Sequence, residues 1–384
     1  MTPARAFAYR NILAIVQVVS AIAVVVGSHG GLDFEGRPIG LDFISFWTAS
    51  KIVLTDLPAH VYDMTAHWAV QRAAFSGATL NYTAFFYPPV FLLMCLPLAL
   101  LPYGWALAAW LVTTGGAFLA ALGKQGRAHI LALLAFPAIW LNIAHGQNGF
   151  LTAALFAAGI RYLDAWPVLA GLFLGGLIYK PHFLTMLPVV LLLEWRWRTA
   201  VAAACSAASL IALSVAVLGV APWYGFAASA ATARAVLEQG AVGDYKMHSV
   251  FAAIRLFGGG LAFAYTVQAI VALGAAGLLG WLCRKSPGAE AIGAALAAAA
   301  VLASPFLLLY DFVLLTIPLL WIWREARKTG FLPWEKSVAM AAFVMPLVAS
   351  VAAFRLHMPV ASLTTMALFA VVVRRISSSP IESR

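Results

Sequence analysis

Apolar runs of roughly 14 to 25 residues recur along this chain, each long enough to cross or nearly cross a hydrocarbon core of about 30 Å as a helix. A transmembrane β-barrel would instead alternate apolar and polar positions over about ten residues at a time. Stretches such as 184–193 and 289–303 are apolar all round. Composition agrees: of 384 residues, 63% are hydrophobic and 10% charged, against about 45–50% and about 25% in soluble domains. A soluble globule, a disordered segment and a collagen-like rod are excluded. What remains is an all-α polytopic membrane protein, read as one integral membrane unit over 1–384.

The formal net charge is +10, yet the basic residues sit in small clusters beside the ends of apolar runs. They are Arg5 and Arg10, Arg196 and Arg198, Arg284 and Lys285, Arg324 with Arg327 and Lys328, and Arg374 and Arg375. This is the positive-inside pattern of cytoplasmic loops, not a basic face for nucleic acid. Cys95, Cys205 and Cys283 have neither disulfide-like nor metal-ligand spacing.

The run 12–26 follows Arg5 and Arg10, and with no small-x-small cleavage site before Ser28 it reads as an uncleaved anchor (1–28). Residues 29–84 form the longest interruption and hold Asp33, Glu35, Asp42, Asp56 and Asp63 against Arg37, Lys51 and Arg72, which assigns them to the outside. Phe43, Phe46, Trp47, Ser50 and Leu54, then Trp68, Ala69, Arg72 and Phe75, recur at helical spacing. They predict two short amphipathic helices lying along the membrane surface, the first capped by Asp42. Further crossings are expected at about 85–101, 103–122, 128–142, 148–163, 167–193, 199–219, 261–282, 289–303, 306–323, 337–353 and 358–373. The loop 221–260 comes out on the same side as 29–84. With the anchor the total is about twelve, and both termini are cytoplasmic. The runs around His145 are short enough to be a re-entrant pair instead.

An ionisable or amide group inside an apolar segment is expensive, so each one is a candidate. Lys180 and His182 lie near the centre of 167–193. One reading makes Lys180 a cation for a phosphate head group. Another buries its stem and pairs its amine with a carboxylate. His145-Gly146-Gln147-Asn148-Gly149 sets an imidazole and two amides at a tight turn, either lining a sugar-sized site or satisfying its own helix ends. Asp311, after Tyr310, reads as a site carboxylate, a solvated loop acid or a partner for Arg255 or Lys180. Lys246, His248 and Arg255 bring cations and an imidazole to the end of the second outer loop, for an acidic lipid head group or for water. Asp42 alone would read as a helix cap. No Walker loop, dinucleotide GxGxxG, GxSxG or HExxH occurs, which argues against ATP-driven transport and metalloprotease chemistry.

The order of these pieces resembles the family 87 glycosyltransferases, GT-C-class membrane enzymes that include polyprenyl-phosphate-mannose-dependent α-mannosyltransferases. The resemblance is carried by Leu41-Asp42-Phe43 with Trp47 and Ala49, by Val61-Tyr62-Asp63 and by Tyr87-Pro88-Pro89 with Pro97 through Pro102. It continues through Gly146-Gln147-Asn148, through Ala170-Gly171 up to Lys180-Pro181 with Leu191-Leu192-Leu193 and Arg196/Arg198, and into Ser304-Pro305. It implies a GT-C-like bundle in which Asp42 is the catalytic base and Tyr87, Gln147, Asn148 and Lys180 belong to the donor or acceptor site. Where many members carry His-His after Ser-Pro this chain has Tyr310-Asp311, and where they carry Asn-Gln-Ser it has Met247-His248-Ser249. His248 is therefore a replacement candidate. The implied partners are a polyprenyl-phosphate-linked sugar, a lipid or glycan acceptor and membrane lipids, at a bacterial inner membrane with the site facing the periplasm. No cofactor is indicated; some GT-C enzymes use a divalent metal, but Asp42 beside Asp63 is weak evidence for one.

A transporter or lipid flippase would explain the helices without chemistry, but it predicts functional residues along a central path. The candidates here gather in the outer loops. A non-catalytic assembly subunit would tolerate loss of Asp42, whereas an enzyme would not.

Overall fold

The computed structural model describes residues 3–240 and 243–378. It is 78% helix, with no strand among those residues. The helices in chain order are α1 (Pro3–Val26), α2 (Phe43–Thr55), α3 (Met64–Ala74), α4 (Pro89–Cys95), α5 (Tyr103–Ala128), α6 (Ile130–Ala135), α7 (Pro137–His145), α8 (Gly149–Tyr162) and α9 (Pro167–Gly175). They continue as α10 (Leu187–Leu193), α11 (Trp197–Leu218), α12 (Ala221–Glu238), α13 (Val250–Leu256), α14 (Leu261–Cys283), α15 (Ala289–Ala303), α16 (Thr316–Thr329), α17 (Glu335–Leu356) and α18 (Val360–Ser378).

Among the described residues, six stretches are long and apolar enough to cross a bilayer: Phe7–Val26, Tyr103–Ala128, Trp197–Leu218, Leu261–Cys283, Glu335–Leu356 and Val360–Ser378. The other expected crossings are shorter helices or broken ones, and proline accounts for several breaks. It lacks an N–H and clashes with the preceding turn, so it starts helices more readily than it continues them. The expected span 128–142 is cut at Pro137 into α6 and α7. Span 85–101 is cut near Pro97, where α4 gives way to the 3-10 turn Leu96–Leu100. Span 167–193 breaks at Lys180, between the 3-10 turns Gly176–Tyr179 and Pro181–Leu184. Span 306–323 opens with the 3-10 stretch Leu309–Leu315 before α16. Broken backbone at membrane depth is tolerable only where protein satisfies it, and the breaks at Lys180 and Leu309 fall where the polar residues converge.

The centre of the bundle is α15. Its alanines are almost wholly buried and let α8, α14, α16 and α18 approach, the close packing that holds helices together where lipid is as apolar as the side chains. At the far end of the chain Arg375 grips Glu335 through Nε (2.5 Å) and Nη2 (2.6 Å), and reaches Gly330 O (2.6 Å). That buried fork fixes α18 to the start of α17.

Helices do form at Phe43–Thr55 and Met64–Ala74, but α2 differs from a surface helix with one wet side. Phe43, Ile44, Ser45, Phe46, Thr48, Ala49, Ser50 and Ile52 are all buried. Ser45 donates to Ala84 O (2.9 Å) and Ser50 to Trp47 O (2.7 Å), so burial strands neither of these two groups, while Thr48 Oγ1 is buried without a partner among the described residues.

Candidate active site

The site is assembled at the start of α2, against the turn between α7 and α8. Gly146 ends α7 in the left-handed conformation (φ 62°). A Cβ there would stand 2.5 Å from the Phe43 Cβ, so only glycine lets the turn approach α2 closely enough for the Asp42 N–H to donate to His145 O (3.0 Å). Gly149 does the same on the other side. A Cβ there would lie 2.5 Å from Tyr310 O and 2.6 Å from Asn142 Oδ1, so its absence lets the loop carrying Asp311 close on α8.

Asp42 stands directly before α2 but does not cap it: its side chain accepts no bond from the helix amides. Instead Gln147 Nε2 donates to Asp42 Oδ2 (3.1 Å), and among the described residues Oδ1 carries no hydrogen bond. Gln147 is itself held, its Oε1 accepting from the Tyr87 hydroxyl (3.2 Å) and from the Asn148 N–H (3.2 Å). Trp110 Nε1 donates to Gln147 O (3.4 Å), and the Tyr62 hydroxyl donates to Tyr87 O (2.8 Å). The wall is aromatic: Phe46 packs edge-on against Phe85, Tyr87, Phe91 and Trp110 at 5.0–6.5 Å between ring centres.

The polar chain continues from Asn148. Lys180 Nζ donates to Asn148 Oδ1 (2.9 Å) and to Asp311 Oδ1 (2.5 Å), and all three residues are buried. Asp311 Oδ2 accepts from the Leu308 N–H (3.1 Å). Lys180 thus spends its charge on a carboxylate. The Tyr179 hydroxyl meets Thr152 Oγ1 (2.6 Å) and donates to Asn148 O (3.4 Å). Asn142 and Asn148 each keep a buried Nδ2 without a hydrogen-bond partner among the described residues.

Burial holds the Asp42 carboxyl above the usual carboxylate range, opposed by the nearby charges of His145 and Lys246 and by the bond from Gln147. Lys246, in the turn Asp244–Lys246, is exposed. The remaining expected site residues are engaged elsewhere. Asp63 caps α3, accepting from Thr65 N (2.7 Å) and Ala66 N (3.1 Å). Asp63 thus serves the start of α3, while Asp42 is held by Gln147. Arg255 donates to Gly259 O (2.9 Å) and Glu238 O (3.4 Å), closing the end of α13. His248 meets Ser350 Oγ (3.2 Å), and burial pushes its imidazole down to about 4, leaving it neutral at pH 7. His182 is packed on Phe183 with its Nε2 buried and, among the described residues, unpartnered.

Several residues at the site gave no clear sign in the sequence. Tyr103, whose hydroxyl donates to Ile39 O (2.7 Å) and Gly40 O (3.1 Å), fixes the strand of chain entering Asp42. Tyr179 and Thr152 sit in apolar runs like any other core residue. Asn142 alone carried a signal, a lone amide within an apolar helix.

No curated protein and no solved structure matches the chain. The family model for glycosyltransferase family 87 matches residues 85–305, a span that holds Tyr87, Gln147, Asn148 and Lys180. The fold brings Asp42 and Asp311 to that span from outside it. With more than half of its length matched, the chain belongs to glycosyltransferase family 87 and is a membrane glycosyltransferase.

Proposed function

We propose that this protein transfers a hexose, mannose first among them, from a polyprenyl-phosphate-sugar to a hydroxyl of a lipid or glycan acceptor. The reaction takes place on the periplasmic side of the inner membrane, with α2 and α3 close to that interface, and with inversion at the anomeric carbon. The observation that carries this reading is the Asp42 carboxylate, withheld from capping α2, oriented through Oδ2 by Gln147 and open at Oδ1.

In the proposed step the acceptor oxygen attacks the anomeric carbon from the side opposite the phosphate while its proton passes to Asp42 Oδ1. The bond from the anomeric carbon to the phosphate oxygen breaks, and polyprenyl phosphate leaves with the electron pair. A carboxylate held above its ordinary range by burial is a stronger base than a solvated one, the direction general-base catalysis favours. Polyprenyl phosphate needs cations more than a general acid. Lys180 is paired with Asp311, Arg255 is bonded to backbone carbonyls and His248 is neutral. The leaving-group role is assigned to Lys246, an exposed cation whose charge acts on Asp42. The amides of Asn142 and Asn148, without a partner among the described residues, are suited to sugar hydroxyls, and the Lys180–Asp311 pair holds Asn148 in place for that purpose.

The test is transfer by the purified protein in nanodiscs, supplied with polyprenyl-phosphate-mannose or polyprenyl-phosphate-glucose labelled in the sugar and with extracted membrane lipids and glycans. The expected product carries the label with the anomeric configuration opposite to the donor's. A product with retained configuration would remove Asp42 from the role of base in a single displacement, and label that only crosses the bilayer attached to its lipid would replace transfer by transport.

A further inference from the structure

About 20 Å from Asn148 along α8, the span of its 14 residues at 1.5 Å each, lies a second built feature that the proposed transfer does not use. It is a cleft of about 620 Å³ lined by Leu163, Asp164, Pro167, Trp195, Arg196, Trp197, Arg198 and Thr199. The ends of α8 and α10 and the starts of α9 and α11 meet here. Neither α9 nor α11 has a side-chain cap, so both N-termini leave their positive ends turned to the cleft.

The charges are asymmetric. Arg196 is neutralised by Glu194 Oε2 (2.6 Å) and Asp164 Oδ1 (2.8 Å). Arg198 is exposed and, among the described residues, makes no ion pair or hydrogen bond. Thr199, fully buried, lines the cleft with an Oγ1 that has no partner among the described residues. An unpaired guanidinium, an unpartnered hydroxyl and open helix amides form a donor set for a phosphate.

The surroundings say which phosphate. Trp166, Trp195 and Trp197 are 66%, 75% and 49% exposed, and Leu192 and Leu193 are exposed beside them; tryptophans of this kind settle at the head-group level of a bilayer. Trp195 is also strained for position. It holds φ 53° at the end of α10, where Trp195 N donates to Leu192 O (3.2 Å) and Arg196 N to Leu191 O (2.9 Å), a helix stop that ordinarily takes glycine. A bulky residue kept at such a site points to use of its ring.

We propose that this cleft binds the phosphodiester of an anionic phospholipid, with Arg198, Thr199 and the first turn of α11 on the phosphate and the tryptophans against the glycerol and upper acyl chain. The experiment takes the full chain in a neutral detergent and follows thermal unfolding with added phosphatidylglycerol, phosphatidylcholine or inorganic phosphate. Phosphatidylglycerol at a hundredfold excess over its Kd should raise Tm by about 3 °C, while the other two leave it unchanged. Arg198→Gln should weaken the phosphatidylglycerol effect about tenfold in apparent Kd. Trp195→Gly, which relieves the strained turn and so guards against misfolding, should fold at least as stably and also weaken it. An equal response in wild type and Arg198→Gln, or no response to phosphatidylglycerol, would overturn the proposal. An equal response to inorganic phosphate would overturn the lipid assignment in favour of a soluble anion.

Discussion

Asp42 and Asp63 each stand one residue before a helix in the same loop, and the two helix starts use the same side chain in opposite ways. At α3 the carboxylate of Asp63 accepts from two backbone amides, the arrangement that satisfies a helix N-terminus and needs no further explanation. At α2 the amides go without a side-chain cap, while Asp42 is turned to Gln147 and buried so that its charge is costly. A carboxylate that forgoes its stabilising role at a helix end and accepts desolvation is one whose use lies in chemistry.

The comparison extends to the pair behind it. Lys180 to Met would leave Asp311 charged and buried without its cation, and unfolding measurements should register a loss of about 3–5 kcal/mol. Lys180→Met combined with Asp311→Leu should recover most of that, because the penalty lies in the orphaned charge. If the single variant is as stable as the wild type, the polar chain from Asp42 to Asp311 is not a buried network. Gln147→Ala removes the group that orients Asp42 without touching the carboxylate. It should lower kcat about tenfold with the acid limb of the pH profile shifted to higher pH, since a bond to the charged form is lost. A change in KM alone would make Gln147 a binding residue instead.

Asp63→Ala should cost about 1 kcal/mol of stability, the usual worth of an N-cap, and leave kcat unchanged; a matching loss of transfer would erase the distinction between the two aspartates. The smallest effect has the opposite sign. The Asp42 carboxyl is raised in the folded state, so folding favours its proton. The associated stability is present at low pH and is lost as pH rises from about 3.9, the unfolded value, through the higher folded one. Asp42→Asn should therefore unfold at a slightly higher temperature than wild type at pH 7. The gap should close on acidification, and a variant less stable than wild type at pH 7 would show that the carboxylate supports the fold after all.

Hydropathy made the helical class legible, and the isolated polar residues in apolar surroundings made half the site legible: Gln147, Asn148, Lys180 and Asp311 converge as a chain of hydrogen bonds. Periodicity could not show where crossings break, because a proline such as Pro137 or Pro181 interrupts a helix without lowering the hydropathy of the run around it. The partner of Lys180 was open between alternatives, since 131 residues separate it from Asp311 and only the close approach allowed by Gly149 brings them together. Asp42 looked like a cap because a local pattern cannot reveal that a distant glutamine competes for its oxygen. Tyr103 and Tyr179 were illegible for a simpler reason: a tyrosine in an apolar run gives no sign of where its hydroxyl ends.

The central claim is that Asp42 takes the acceptor's proton, and the direct measurement is sugar transfer from polyprenyl-phosphate-mannose by wild type, Asp42→Asn and Asp63→Asn, each verified as folded by its unfolding transition. The account predicts a fall of about 10²–10⁴ in kcat for Asp42→Asn, the range of a lost general base, and wild-type turnover for Asp63→Asn. Full turnover by Asp42→Asn would contradict it.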